Sequence, residues 1–189
     1  MTRVALVPGV LALLPEYRSL QDPVASLRAA CLDAVAWLGP SPRVVADAQG
    51  SRIAAALVGA AGLDTPPPSG SGYSTSGRVG GRVASASERI ETTEEGVLVV
   101  GNGSARRTEA SPGPFDPRAV PFDDALGAAL RGPDPAVLRS LDQQLAEELW
   151  AATGSVTELA GLLEGAGLVD VDYDDAPYGV QYWVMRWQG

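Results

Sequence analysis

The 189 residues include no histidine and no lysine, and all 14 basic side chains are arginine. A guanidinium keeps its proton, so it clamps anions or pairs with acids and never serves as a base. Ser-His-Asp hydrolysis, Schiff-base chemistry, lysine-dependent phosphate loops and imidazole-ligated metals are thereby excluded in their usual forms. Cysteine is scarce as well: Cys31 stands alone, which rules out an internal disulfide and makes a cytoplasmic location the simplest expectation. Its neighbours Leu27, Ala30, Ala34 and Val35 mark it as a small buried hydrophobe with no evident cation nearby to lower its pKa. No run approaches the roughly 20 apolar residues of a membrane span, and Pro8-Gly9 interrupts the apolar start, so neither a membrane nor a signal peptide is expected. Positive charge is thin. With a net charge of −9 and Arg106-Arg107 as the sole adjacent basic pair, nucleic acid is not an expected partner.

What is present is the material of a globular domain, 46% hydrophobic and of ordinary single-domain length, 1–189. Val4 to Val7 reads as a short buried strand. A helix follows from Asp22-Pro23, with Val24, Leu27, Cys31, Val35 and Leu38 at three- and four-residue steps and Gly39-Pro40 as its stop. Arg43 to Ala48 reads as a second strand, and Ser51 as the cap of an Ala-rich helix from Arg52 to about Ala61. The Pro-, Gly- and Ser-rich stretch 64–81 is expected to be a mobile loop. Arg82 to Ile90 reads as an irregular strand and Val97 to Val100 as a central one. Three helices are then predicted, over Phe122 to Arg131, Pro135 to Ala152 and Val156 to Glu164, the last behind a Ser155/Glu158 capping box. Leu138, Leu141, Leu145 and Leu149 form a core stripe on the second of these. Two strands, Leu168 to Asp174 and Val180 to Trp187, close the chain around the turn Ala176-Pro177-Tyr178-Gly179. Strands alternating with helices predict an α/β fold, three layers of αβα with a mostly parallel or mixed central sheet.

Candidate chemistry gathers at a few places. Gly101-Asn102-Gly103-Ser104-Ala105-Arg106-Arg107 follows the central strand, where glycine amides, Ser104, Arg106 and Arg107 could receive an anionic small molecule. The alternative is a turn whose arginines pair with acids. Asp170, Asp172 and Asp174 alternate along a strand and Asp175 follows; they suit either Mg²⁺ or Ca²⁺ or a solvated face. Glu16, Tyr17 and Asp47 lie at strand ends, as an acid or base or as solvated loop residues. Trp183 and Trp187 suit the core better than a stacking platform.

Taken together, Gly101 to Arg107, Pro114-Phe115-Asp116-Pro117-Arg118-Ala119, Pro121-Phe122-Asp123 and Tyr173-Asp174-Asp175-Ala176-Pro177-Tyr178-Gly179-Val180 resemble the B-type superfamily of class III extradiol ring-cleavage dioxygenases, in its actinobacterial branch. The resemblance implies a single αβα domain. It also implies an Fe(II) centre of two histidines and a carboxylate, with a further histidine in acid–base catalysis. The first ligand histidine would lie in a Pro-His-Pro-type loop after the first strand, and this chain has Pro8-Gly9-Val10 there. Carboxylates alone favour Mg²⁺, Ca²⁺ or Mn²⁺ over a redox-active iron. The expectation is therefore a dioxygenase-like scaffold without its iron centre, a non-catalytic binder of a small molecule or a protein partner. No catalytic residue, metal or cofactor is assigned to it. Gly101, Asn102, Gly103, Ser104, Arg106, Arg107, Asp174, Asp175, Tyr178 and Gly179 are its expected ligand-lining residues, with a pocket between the Ser104 loop and the Pro177 turn. Two alternatives stand beside it. One is an enzyme of histidine-independent chemistry acting on an anionic small molecule through Ser104, Glu16, Asp47 or Asp174. The other is a structural component of a complex that docks through an exposed patch around Trp183 and Trp187.

Overall fold

A computed structural model describes residues 1–17, 22–63 and 95–189. The expected loop 64–81 and the strand from Arg82 to Ile90 lie outside the described residues. Five strands, β1 (Thr2–Val7), β2 (Arg43–Val45), β3 (Glu95–Val100), β4 (Gly167–Asp175) and β5 (Tyr182–Gln188), form one mixed sheet in the order β2-β3-β1-β5-β4. β1 and β2 both run parallel to β3, β5 is antiparallel to β1, and β4 is antiparallel to β5.

Alternation along the central strands supplies two apolar faces, and helices cover both. Ala5, Val7, Leu98, Val100 and Val184 pack under α1 (Ala25–Leu38) and α2 (Ala48–Ala60). Val4, Leu6, Val97, Val99 and Met185 pack under α3 (Ala119–Arg131), α4 (Pro135–Arg139), α5 (Gln143–Glu148) and α6 (Val156–Leu162). Trp183 and Trp187 belong to this second face, fully buried, and Trp187 Nε1 donates to the Leu130 carbonyl at 3.1 Å. They form no exposed aromatic patch, so that clue to a docking component falls away.

Several boundaries differ from the sequence pattern, each for a local reason. α1 begins at Ala25 because Asp22 closes a tight turn before it: Oδ1 accepts from Val24 N at 3.1 Å and Oδ2 from Arg28 Nε at 2.8 Å. β2 stops at Val45 because Asp47 caps α2, accepting from Gly50 N at 2.6 Å; Ser51 lies inside the helix and donates its hydroxyl to the Asp47 carbonyl. The long helix expected over Pro135 to Ala152 is two short ones. Ser140 Oγ donates to the Val137 carbonyl and Asp142 caps a fresh start at Leu145 N, the local competition these side chains offer a helix backbone. Ser155 makes no side-chain cap for α6, and Glu158 instead accepts from Arg43 across the sheet edge at 2.5 Å. Register shifts in β4 between Leu168 and Asp170 and between Val171 and Tyr173 break its simple alternation.

Candidate functional site

The strand directions bring four connections to one edge of the sheet. β1, β2 and β3 end there, β4 ends there and β5 begins there, so residues after Val7, after Val45 and after Val100 meet the β4–β5 turn. In open α/β sheets this is the edge at which ligands bind.

The glycine–arginine segment faces inward. Its amides are already committed to the protein: Gly101 N donates to Val7 O, Asn102 N to Ala152 O, Gly103 N to Gln181 O, Ala105 N to Leu149 O and Arg107 N to Gly179 O. Ser104 is fully buried; its amide donates to Asp123 Oδ1 at 2.8 Å and its hydroxyl to Asp123 Oδ2 at 2.6 Å. Asp123 is itself 2% exposed and receives a third donor, Arg107 Nη1, at 2.8 Å. Arg106 ties the following loop, with Nε on the Pro114 carbonyl and Nη1 on the Glu148 carbonyl. Gly103 is required by crowding, since a Cβ there would lie 2.5 Å from Asp123 Oδ1 and 2.7 Å from Gln181 Cβ. The expected anion cradle is thus a structural knot, for every amide named is spent and both guanidinia are engaged. Ser104, enclosed and donating to a carboxylate, is not presented to a substrate.

The other expected lining segment is also occupied. Asp174 pairs with Arg131 and accepts from Gln181 Nε2 at 2.8 Å, and Asp175 Oδ1 accepts from the Ala176 amide at 2.7 Å. Asp170 and Asp172 clamp Arg186, with both Asp172 oxygens at 2.7 Å. The register shift before Tyr173 parts Asp174 from that pair, so the acidic set does not share one face. Tyr178 is half exposed and donates to the Pro23 carbonyl at 3.3 Å. Gly179 turns at φ +68°, and its carbonyl accepts from Arg107 N and Ser111 Oγ. Between the Ser104 loop and the Pro177 turn the chains are zipped by Gln181 N on Ser104 O as well. These hydrogen bonds join the two segments where the pocket is expected.

The open volume lies to the other side of Asn102. A cleft of about 440 Å³ is walled by Val10, Leu11, Ala12, Val100, Pro112, Trp150 and Val180, with Gly9, Asp47, Gln49, Gly101, Asn102, Ala152 and Tyr182 completing it. A second hollow of about 400 Å³ adjoins it, sharing Asp47, Val100 and Ala152 and ending at Glu158. Of the ten expected lining residues, Gly101 and Asn102 line the first cleft; Gly103, Ser104, Arg106, Arg107, Asp174, Asp175, Tyr178 and Gly179 do not. Asp47, expected only as a strand-end acid, stands in both hollows. Glu16 pairs with Arg52 at 3.5 Å on the exposed surface, and Tyr17 beside it is exposed as well.

One wall is held by a buried arginine. Arg28 Nη1 donates to Leu13 O at 2.5 Å and Nη2 to Ala12 O at 2.6 Å, which fixes the turn Leu11–Leu13 against α1. At the rim, Trp150 is 55% exposed and holds a left-handed backbone, φ 57°, which a bulky residue adopts only when its surroundings impose it. Ala152 beside it bridges to Asn102 and brings the end of α5 across the sheet edge. Trp150, Ala152 and Pro112 were not singled out in the sequence, and no local pattern announces them.

The residues of this cleft do not fit a ferrous centre. Gly9 offers no side-chain ligand, and Asp47 is the cleft's single carboxylate among the described residues. Among those residues no three Cys, Asp or Glu side chains are grouped so as to hold a metal ion. Cys31 is fully buried under the sheet, and burial pushes its thiol up to about 12 against an opposing pull from Arg28. No helix among the described residues is long and apolar enough to cross a membrane. Compared with known proteins, the chain matches no family model and no curated sequence.

Proposed function

We propose that this protein is a dioxygenase-like scaffold without an iron centre, which binds a ring-sized small molecule in the cleft at the carboxyl edge of its sheet and does so in the cytoplasm without transforming it. The observation that carries the reading is the cleft's composition. It has the volume of a small-molecule site and largely apolar walls, yet among its described lining residues there is no imidazole, no thiol, no serine or threonine hydroxyl and no pair of carboxylates. Gly9 lies in this cleft, so the position where the resembled family carries its first ligand coincides with the open volume. The anionic-substrate alternative loses its donors, because Ser104, Arg106 and Arg107 are engaged inside the protein.

The test is a thermal-shift panel of ring-sized fragments, run with an iron and ring-cleavage assay. The expected outcome is stabilisation by at least one fragment, lost in Gly9→Leu, together with substoichiometric iron and no cleavage of an aromatic diol. Gly9→Leu suits this use because a Cβ at Gly9 meets only Val100 Cγ1 at 3.4 Å and Asn102 Oδ1 at 3.6 Å, both in the cleft. Tightly held redox iron with diol cleavage would overturn the reading.

A further inference from the structure

We infer that the cleft selects an organic cation, a protonated amine or amidinium on an apolar ring-sized body. The inference rests on reading the cleft as a small-molecule site. What carries it is the set of polar atoms in the cleft that the fold leaves unused.

Gln49 Nε2 donates to Gly9 O at 2.8 Å, and Asn102 Nδ2 donates to Gly103 O at 3.0 Å. A carbonyl can only accept, so both amide groups are oriented by their partners and leave Oε1 and Oδ1 as acceptors. Asp47 spends Oδ1 on the Gly50 amide, while Oδ2 makes no hydrogen bond or ion pair to a described residue. Tyr182 is 4% exposed, lines the cleft, and its hydroxyl has no hydrogen-bond partner among the described residues. Three acceptors, one of them a carboxylate, and one hydroxyl are therefore what the residues lining the cleft leave uncommitted among the described residues.

Charge points the same way. Among the described residues no guanidinium lines the cleft: Arg106 and Arg107 face the knot and Arg28 is bound to the back of the wall. The N-terminus of α2, which by itself would favour an anion, already carries the Asp47 carboxylate. At the rim, the exposed Trp150 ring offers the face that attracts a cation. An anion entering here would meet a carboxylate and acceptors, with a single hydroxyl to donate. A protonated amine would find a counter-charge, further acceptors and apolar walls for its body.

The experiment titrates three near-isosteres into the full chain by calorimetry: benzylammonium, benzyl alcohol and benzoate. The expected result is benzylammonium binding a few-fold tighter than benzyl alcohol, up to about fivefold, the scale of an exposed ion pair, with benzoate weakest. Asp47→Asn, which keeps an oxygen for the Gly50 amide, is expected to erase the preference for benzylammonium over benzyl alcohol. Raised salt should weaken the cation alone in the unaltered protein, a readout that needs no variant. Benzyl alcohol or benzoate binding as tightly as benzylammonium, with Gly9→Leu blocking it, would overturn the cation inference and leave the small-molecule reading standing. No binding by any of the three, or binding that Gly9→Leu does not affect, would overturn both.

Discussion

At the scale of single residues, Asp123 decides what the glycine–arginine segment is. Three donors converge on its nearly inaccessible carboxylate, two from Ser104 and one from Arg107. Removing it strands a largely buried guanidinium and a buried hydroxyl together. Asp123→Ala is therefore expected to destabilise the fold by about 3–5 kcal/mol in chemical denaturation, the scale of a broken buried pair. Ser104→Ala should cost about 1–2 kcal/mol and leave ligand binding intact, which separates a structural from a reacting hydroxyl. Cys31 gives a second test. With its thiol raised to about 12, only about one molecule in 10⁴ carries a thiolate at pH 8, so disulfide reagents should label it only after unfolding. The sequence showed Ser104 and Arg107 as neighbours of glycines on a strand end, a pattern that serves a turn and an anion site equally. The partner that settles the matter lies 19 residues downstream on α3, and spacing alone gives no means of choosing it.

At the scale of elements, periodicity carried most of what was legible. Residues 4–7 and 97–100 read as strands because they are apolar throughout, 168–174 and 180–187 by alternation and by aromatic and β-branched content, and the stretch from Asp22-Pro23 to Leu38 as a helix because apolar side chains recur at three- and four-residue steps. What failed were boundaries set by side-chain hydrogen bonds. Pro135 to Ala152 kept its leucine stripe, with Leu138 and Leu149 buried, and still broke at Ser140, because a polar side chain competing with the helix backbone leaves the apolar pattern untouched. The early end of α5 matters to the site. Ending α5 at Glu148 lets the chain turn through Trp150 in a left-handed conformation and lay Ala152 against Asn102. Left-handed backbone at a non-glycine residue costs about 1–3 kcal/mol, and glycine removes that strain. Trp150→Gly is accordingly expected to melt within a few degrees of the unaltered protein while binding a cationic ring ligand several-fold more weakly. A large loss of stability with unchanged binding would instead make Trp150 a packing residue.

At the scale of the whole molecule, the cleft exists because strand directions deliver four distant connections to one edge, a fact of topology that no single segment carries. The αβα layering was legible from the alternation of strands and helices. The cleft was not, since Val10, Asp47, Asn102, Trp150 and Tyr182 come together only after the sheet order is known. The same edge bears an acid-sensitive part of the fold. Asp116 meets the Arg118 guanidinium through both oxygens and the Arg118 amide through Oδ1, which lowers its carboxyl from 3.8 to about 2. A depressed carboxyl adds stability above its unfolded pKa and loses it as pH falls through the folded one. Stability should therefore decline between about pH 4 and pH 2 in part through this group. Asp116→Asn is expected to flatten that limb of the profile, as followed by thermal melts across the range.

The sharpest measurement is a backbone amide chemical-shift map of the labelled protein titrated with benzylammonium. Perturbations are expected to centre on Gly9, Leu11, Gln49, Asn102 and Val180, with Arg106, Arg107 and Gly179 unmoved. Shifts centred on Arg106, Arg107 and Gly179, or no saturable shifts at all, would contradict the cleft as the binding site.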